Sequence, residues 1–335
     1  MMRVAIVYLG NNVPKYVFDN LRYLRTNFPN INLVFISDSD KSLNLAKKIG
    51  AEIWYYHENI DEKTSFQKNS SLPMNFRAGF WYTTTSRFFA IENYMENHPE
   101  EQLLQIEADV WISPNFPFEK FKDLPKDVDI AFPLETEVTG AASILYLRDA
   151  AAAHNFCLEV RKALLENSSA TDMTILGKIF NERNLHSLVL PVAAHDSGAL
   201  NPETSPEIIQ ELSQFLDYFG GVFDSVTYGL YLAGEDPRNH RGIHYRFRRQ
   251  ASHLVYCDKI KFVAKSDGIY LCDKTDVPLF NLHIHSKDRS AWRSDYLKTK
   301  IPLTIQDSKQ GVTAKRNYGL ILVLVAKSLK RRIGF

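Results

Sequence analysis

The sequence predicts an α/β fold of the Rossmann-like type, in which a mixed, mostly parallel central sheet is flanked by helices. The first observation is a continuous apolar run at residues 3–10, which is typical of a parallel strand buried on both faces. The second is the alternation that follows, because stretches of helical spacing separate further short β-rich runs. Strands are predicted at residues 3–10, 32–38 and 52–56, and helices at residues 17–26 and 42–49.

This order of strands and helices also predicts where a ligand binds. In open α/β sheets, ligands occupy the edge beyond the carboxyl ends of the strands. The residues that fall there after the first two predicted strands are Leu9, Gly10 and Asp38. They are therefore candidates for contact with a bound ligand.

The third observation is an acidic pair inside an apolar run at residues 103–112. In a strand, Glu107 and Asp109 would point to the same side, since side chains alternate with a period of two. Burying two carboxylates is costly unless a cation or hydrogen-bond donors satisfy them, and a hard divalent cation would do so. The alternative is that the two acids cap a loop as the strand leaves the core.

The composition is that of an ordinary soluble protein, with 45% hydrophobic and 24% charged residues in 335. The net charge of +1 hides an asymmetry, because residues 287–335 contain twelve Lys or Arg against three acids. Three cysteines without C-x-x-C spacing indicate reduced thiols and a cytoplasmic location. No apolar stretch reaches the roughly 18 residues needed to span a bilayer.

Two arginines interrupt an apolar helix predicted at residues 76–96, just before the acidic pair. Arg77 and Arg87 could neutralise a phosphate or bind a nucleotide sugar at the edge of the sheet. Alternatively, they are surface arginines in solvated ion pairs. A further segment dense in Arg and His, at residues 237–249, is short in a nearly neutral chain. It favours a phosphate-bearing small substrate or a lipid over nucleic acid.

Three later positions combine an acid or a glycine with a predicted element boundary. Gly140 precedes a strand predicted at residues 141–147 and would allow a ligand close to the backbone. Asp172 opens a predicted helix, where an acid also favours the N-terminal turn without any further role. Asp224 follows two glycines in an apolar setting.

Residues 280–287 contain two histidines and a lysine. If this stretch is extended, His283 and His285 share one face. A histidine joined to the distant acidic pair would complete a mixed oxygen and nitrogen site of the kind that Mn(II) accepts, and Lys287 could face a phosphate. A pair of structural histidines is the alternative, and it stays open whether His283 also binds metal.

Taken together, these motifs resemble those of the GT-A fold glycosyltransferases. Their order is most similar to the retaining branch that contains glycogenin and the bacterial lipopolysaccharide galactosyltransferases. Residues 107–109 match the position of the family's D-x-D metal motif, with Glu in place of the first Asp, and Arg87 matches its donor-binding arginine. Residues 139–142 lie where the family lines the donor sugar, and residues 171–176 resemble its D-Q-D-x-L-N segment. Residues 285–287 resemble its late histidine and lysine.

The resemblance implies an enzyme, a hexosyltransferase. It would move a hexosyl group from a nucleotide diphosphate sugar, with a UDP-sugar favoured, to a glycan or lipid-linked acceptor. Retention is favoured, with Asp172 stabilising the oxocarbenium ion, whereas in an inverting enzyme Asp224 would take the proton of the acceptor. The implied ligands of Mn(II) or Mg(II) are Glu107, Asp109 and His285. The implied contacts to the nucleotide sugar are Leu9, Gly10, Asp38, Arg77, Arg87, Gly140 and Lys287.

Two other functions remain open. A sugar-phosphate nucleotidyltransferase uses a similar sheet and metal, but it usually carries a glycine-rich basic loop after the first strand, which residues 9–14 do not resemble. A non-catalytic protein that binds a sugar nucleotide or carbohydrate is the third hypothesis.

The predicted organisation is a nucleotide-sugar- and metal-binding core at residues 1–200, an acceptor-side region of the same domain at 201–290, and a basic tail at 291–335. Within the tail, the apolar residues 318–326 precede the basic residues 327–332. This pattern predicts a helix that lies on an anionic membrane surface, with a final core helix as the alternative. The expected location is cytoplasmic and peripheral on the inner face of the cell membrane.

Overall fold

The computed structural model describes residues 1–10, 12–57, 68–194, 197–234, 236, 253–272 and 275–293. The strands of this part are, in chain order, β1 (Met2–Val7), β2 (Asn32–Ser37), β3 (Glu52–Tyr55), β4 (Gln102–Ile106), β5 (Val110–Ile112), β6 (Ile130–Phe132), β7 (Leu134–Thr136), β8 (Thr139–Gly140), β9 (Ile144–Leu147), β10 (Ser187–Val189), β11 (Lys261–Lys265), β12 (Gly268–Cys272), β13 (Asp276–Leu279) and β14 (Asn281–His283).

The α-helices of the same part follow in chain order, and four of them overlap helices that the sequence predicts. They are α1 (Lys15–Asn27), α2 (Asp40–Ile49), α3 (Phe80–Glu96), α4 (Phe118–Lys122), α5 (Ala150–Glu166), α6 (Asp172–Glu182), α7 (Pro206–Ser213), α8 (Leu216–Phe219) and α9 (Thr227–Ala233).

Within the described residues, seven strands form the central sheet in the order β10-β6-β9-β4-β1-β2-β3. The strand β1 pairs in parallel with both β2 and β4, and β9 runs antiparallel to its neighbours β4 and β6. Ile6, Phe35 and Leu104 are fully buried in this sheet. Each such side chain contributes about 1.5–3 kcal/mol on burial. The predicted fold class is confirmed as a mixed, mostly parallel sheet flanked by helices.

The main local differences from the sequence predictions occur at backbone breaks. The helix predicted from residue 76 begins at Phe80, because Arg77 and Gly79 adopt φ values of 49° and 78°, which a helix does not accommodate. The extended stretch predicted at residues 280–287 ends as a strand at His283.

A short strand pair connects the acidic turn to the late histidines. The strand β14 runs antiparallel to β5 and aligns His283 with Val110. The predicted domain boundaries stay predictions, but this pairing brings the region after residue 200 to the edge of the core. No helix among the described residues is both long and apolar enough to cross a membrane. The basic segment at 237–249 and the predicted tail helix at 318–332 lie outside the described residues.

Candidate active site

The acidic pair lies in the turn between β4 and β5 rather than within a strand. The N–H of Val110 donates to the carbonyl oxygen of Glu107 at 3.0 Å, and the N–H of Glu107 donates to the carbonyl of Ser143 at 3.1 Å. The side chains of Glu107 and Asp109 keep only 14% and 12% of their surface exposed. Two largely buried carboxylates therefore leave the sheet side by side, at the edge where the sequence predicts a cation.

The histidine that joins them is His283. Its Nε2 lies 3.1 Å from Oδ2 of Asp109 and 3.5 Å from Oε2 of Glu107. One ligand atom from each of the three residues lies within 4.8 Å of the others. The sequence assigned the third position to His285, but Nε2 of His285 faces the carbonyl of Val226 at 3.3 Å. The geometry therefore brings His283, and not the predicted ligand His285, beside the two acids.

The reason for this difference is the end of β14. After His283 the chain turns, and the N–H of Lys287 donates to the carbonyl of Ile284 at 2.9 Å. The ring of His285 consequently stacks on that of His283, with centroids 3.9 Å apart, instead of reaching the acids. Burial lowers the pKa of His285 well below its ordinary value, and the charge of His283 lowers it further.

Two cations alternate with the acids. One guanidinium nitrogen of Arg87 contacts Glu107, and the other lies 2.7 Å from Oδ2 of Asp172. Burial alone raises the pKa of Glu107, but the charges of Arg87 and His283 outweigh it and lower this pKa to about 2. Burial raises the pKa of Asp172 despite the opposing charge of Arg87. Glu107 is thus ionised, and Arg87 links it to Asp172, the first residue of α6.

The ammonium group of Lys287 contacts Asp109. Burial lowers the pKa of Lys287 to about 8, Glu107 raises it and the nearby charge of Arg77 lowers it. Arg77 is itself paired with Asp236, with Nη1 and Oδ2 3.3 Å apart. The structure therefore gathers the three predicted phosphate-binding cations, Arg77, Arg87 and Lys287, around the acidic turn.

The remaining predicted contacts on the first strands also lie at this edge. The N–H of Gly10 donates to Oδ1 of Asp38 at 2.8 Å, and Leu9 is half-buried beside them. Since β1 and β4 are parallel neighbours, Gly10 and Glu107 leave the sheet on the same side. Gly140 is different, because a Cβ there would lie 2.7 Å from the side chains of Leu176 and Phe132. Its close approach serves packing of α6 on the sheet, not the predicted ligand.

Asp224 has a structural position. It is fully buried, and its carboxylate accepts backbone N–H groups from Tyr228 at 2.9 Å and from Gly229 and His283 at 2.8 Å. Burial raises its pKa to about 6, while these donors lower it. A carboxylate enclosed in this way does not fit the predicted role of a base that meets an acceptor. It fixes the backbone of His283, and Gly229 is required beside it, because a Cβ would lie 2.1 Å from the carbonyl oxygen of His283.

Replacing Asp224 by asparagine should lower the free energy of unfolding by about 1–3 kcal/mol, because the amide group leaves at least one buried N–H without an acceptor. Urea denaturation measures this change. The matched control is the exposed Asp127→Asn, for which we expect less than about 0.5 kcal/mol. Equal stability of the two variants would contradict the structural role of Asp224.

Two features escaped the sequence interpretation. The first is the choice of His283 over His285. The second is Glu135 in β7, whose pKa burial raises to about 7, and which no motif distinguishes from its neighbours.

A second acidic group, Glu92, Glu96 and His154, could also hold an ion. There Glu96 and His154 are exposed, whereas Glu107, Asp109 and His283 are buried or half-buried, so we assign the second group no metal.

No protein-family model and no curated protein matches this sequence. Among solved structures, the chain is similar to the galactosyltransferase LgtC in complex with donor and acceptor sugar analogs, with 14% identity and a TM-score of 0.40 over 54% of this chain and 70% of that one. It is also similar to the bifunctional glycosyltransferase WbbM, with 11% identity and a TM-score of 0.38 over 63% of this chain and 43% of that one.

A third similar structure is a cytidylyltransferase from Leptospira borgpetersenii, with 10% identity and a TM-score of 0.34 over 65% of this chain and 87% of that one. These proteins have different activities, and the likeness to each is low. The function of this chain therefore rests on the chemistry of its own site.

Proposed function

We propose that this protein is a glycosyltransferase that moves a hexosyl group from a nucleotide diphosphate sugar to a hydroxyl group of a glycan or lipid-linked acceptor. The observation that supports it is the convergence of Glu107, Asp109 and His283 with Arg87 and Lys287 at the carboxyl edge of a mostly parallel sheet. This edge is where such sheets bind nucleotides. An acid and imidazole cluster ringed by cations suits a metal-bound diphosphate.

The three candidate ligands fit a divalent cation. Two carboxylates and one imidazole are a mixed oxygen and nitrogen set, which suits Mn(II) and which Mg(II) accepts less readily because it prefers oxygen ligands. The carboxylate of Asp224 accepts a hydrogen bond from the backbone N–H of His283 at 2.8 Å, which fixes the position of the third candidate ligand. A cation bound there would act as a Lewis acid on the diphosphate leaving group.

The side chains of the protein supply the rest of the chemistry. Arg87 and Lys287 place positive charge where the diphosphate accumulates negative charge as the bond to the sugar breaks. Asp172, held by Arg87 at 2.7 Å, is the acid that would stabilise positive charge at the sugar carbon. The resemblance of the sequence to the retaining branch of the GT-A glycosyltransferases favours retention of configuration and a UDP-sugar as the donor. The basic tail would hold the enzyme near a lipid-linked acceptor.

The proposal is tested by nucleoside diphosphate release from a panel of UDP-, GDP- and dTDP-sugars, with methyl glycosides as acceptors. We expect release from one donor class, its loss on chelation with EDTA and its recovery with Mn(II). Activity that survives chelation would remove the metal from the proposal. Pyrophosphate release from a nucleoside triphosphate and a sugar phosphate would identify a nucleotidyltransferase, and donor binding without turnover would identify a binding protein.

The affinity for Mn(II) distinguishes His283 from His285 as the candidate third ligand. His283→Asn should weaken Mn(II) binding at least about 10-fold, because a ligand atom is lost, whereas His285→Asn should change it less. Isothermal titration with MnCl₂ and paramagnetic resonance of free Mn(II) measure the affinity without any donor. A larger loss in His285→Asn than in His283→Asn would return the ligand position to His285.

A further inference from the structure

Glu135 is not part of the candidate metal cluster, and it takes no part in the salt bridges that Arg87 and Lys287 form with that cluster. It lies on β7, which forms a hairpin with β8 that pairs Leu134 with Gly140. Gly140 packs against Leu176 of α6, the helix that begins at Asp172. The side chain of Glu135 keeps 12% of its surface exposed. The hairpin therefore places a largely buried but accessible acid beside the helix that carries Asp172.

The other acids of the site accept hydrogen bonds or are paired with a cation, whereas Glu135 has no such partner among the described residues. Asp224 accepts three backbone N–H groups, Asp172 is paired with an arginine, and Asp109 is paired with a lysine. Of the residues that the structure describes, none donates a hydrogen bond to the Glu135 carboxylate. His253 stands beside it, with Nε2 3.6 Å from Oε1. This nitrogen is buried and has no hydrogen-bond partner among the described residues.

The two groups have complementary hydrogen-bonding capacity that they cannot satisfy directly, because 3.6 Å is too long for a hydrogen bond. Burial lowers the pKa of His253, which keeps the imidazole neutral at pH 7 with one N–H to donate. A hydroxyl group can accept from this N–H and donate to the carboxylate at the same time. A hydroxyl oxygen placed beside the pair, about 2.8 Å from each of the two atoms, would satisfy both.

The charges around Glu135 also suit a neutral ligand. Burial raises its pKa to about 7, the charge of His283 lowers this pKa, and the charges of Asp224 and Asp172 raise it. The cations that suit a diphosphate contact Glu107 and Asp109 instead. The site thus has a cationic part for phosphate and a separate part at Glu135, where no arginine or lysine of the described residues is among the groups that shift its pKa.

We propose that Glu135 and His253 form the subsite that holds the acceptor hydroxyl of a carbohydrate. This inference rests on the proposed glycosyl transfer and adds its acceptor side. The hydroxyl donates to the carboxylate of Glu135 and accepts from Nε2–H of His253, so that its oxygen is oriented toward the donor. In this arrangement Glu135 replaces Asp224 as the acid that meets the acceptor.

The test compares transfer with hydrolysis, using the nucleotide sugar of the donor panel that the wild-type enzyme turns over fastest and methyl glycosides as acceptors. Glu135→Gln should lower the ratio of transfer to hydrolysis by about 10- to 100-fold, the effect of losing a hydrogen bond to a charged group. Hydrolysis with water should stay near the wild-type rate. The wild-type ratio of transfer to hydrolysis should rise as the pH increases through about 7, because the ionised carboxylate accepts the hydrogen bond of the hydroxyl, and Glu135→Gln should lose this rise.

The matched control is Glu137→Gln on the same hairpin, whose carboxylate accepts the backbone N–H of Ser205 at 2.8 Å. It should keep the wild-type ratio. An equal loss of transfer and hydrolysis in Glu135→Gln would refute the subsite and leave the proposed glycosyl transfer in place. Absence of nucleoside diphosphate release by the wild type from every donor of the panel would refute the glycosyl transfer itself and the subsite with it. If Glu135→Gln fails to fold by circular dichroism, His253→Asn provides the same comparison, with transfer reduced and hydrolysis kept.

Discussion

Asp109→Asn should lower Mn(II)-dependent release of nucleoside diphosphate by about 10³-fold. The substitution removes the charge of one ligand, and metal stabilisation of a leaving group contributes several kcal/mol to the transition state, each 1.36 kcal/mol being tenfold in rate. It also removes the carboxylate that contacts both His283 and Lys287. Steady-state release at saturating MnCl₂ measures the effect.

Glu119→Gln is the control, because Glu119 is 79% exposed and pairs with Lys122 on the same helix turn. It should retain wild-type turnover. A loss of less than about tenfold in Asp109→Asn, equivalent to about 1.4 kcal/mol, would mean that the acidic turn does not hold a catalytic cation. Melting curves without metal separate this effect from unfolding.

Arg87→Met should destabilise the protein by about 3–5 kcal/mol at pH 7. Arg87 is buried between Glu107 and Asp172, and removing one partner of a buried ion pair leaves an uncompensated charge. The pKa of Glu107 falls from 4.5 to about 2 in the folded protein, chiefly because the charges of Arg87 and His283 outweigh burial. This stabilisation is therefore fully present above pH 4.5 and is lost as the pH falls toward 2.

The penalty of Arg87→Met should accordingly be largest at pH 7 and smaller near pH 4, where the unpaired acids take up protons. Urea denaturation at both pH values measures it. Arg22→Met is the control, since Arg22 is 60% exposed and its ion pair with Asp19 is 3.3 Å long, so we expect less than about 1 kcal/mol. An equal penalty at both pH values would contradict an ionised Glu107.

The sequence alone predicts the sheet, its carboxyl edge and the acids there, because these depend on local patterns. Apolar runs such as residues 3–10 identify buried strands, and the acids at 107 and 109 interrupt one of them conspicuously. Parallel pairing then brings the ends of β1, β2 and β4 together. The pattern of apolar residues and the general topology of parallel sheets are therefore enough to predict these features.

The rest depends on contacts between distant segments. The sequence puts His283 and His285 on the same face of one extended stretch and so does not distinguish them. The turn after Ile284 determines which of the two contacts the acids. Asp224 follows two glycines like many loop acids, and its burial by three backbone donors arises from α9 and β14. Glu135 gains its raised pKa from enclosure that the sequence of β7 does not encode.

The pairing of β5 with β14 also orders events during synthesis. Asp109 and His283 are 174 residues apart, and a chain is made from its N-terminus at about 5–20 residues per second. All seven strands of the central sheet, which end with β10 at Val189, are made before His283. In a nascent chain, the strands β1, β2 and β4 are therefore made before His283 can join Glu107 and Asp109, so we expect the candidate cluster to be completed only after the central sheet.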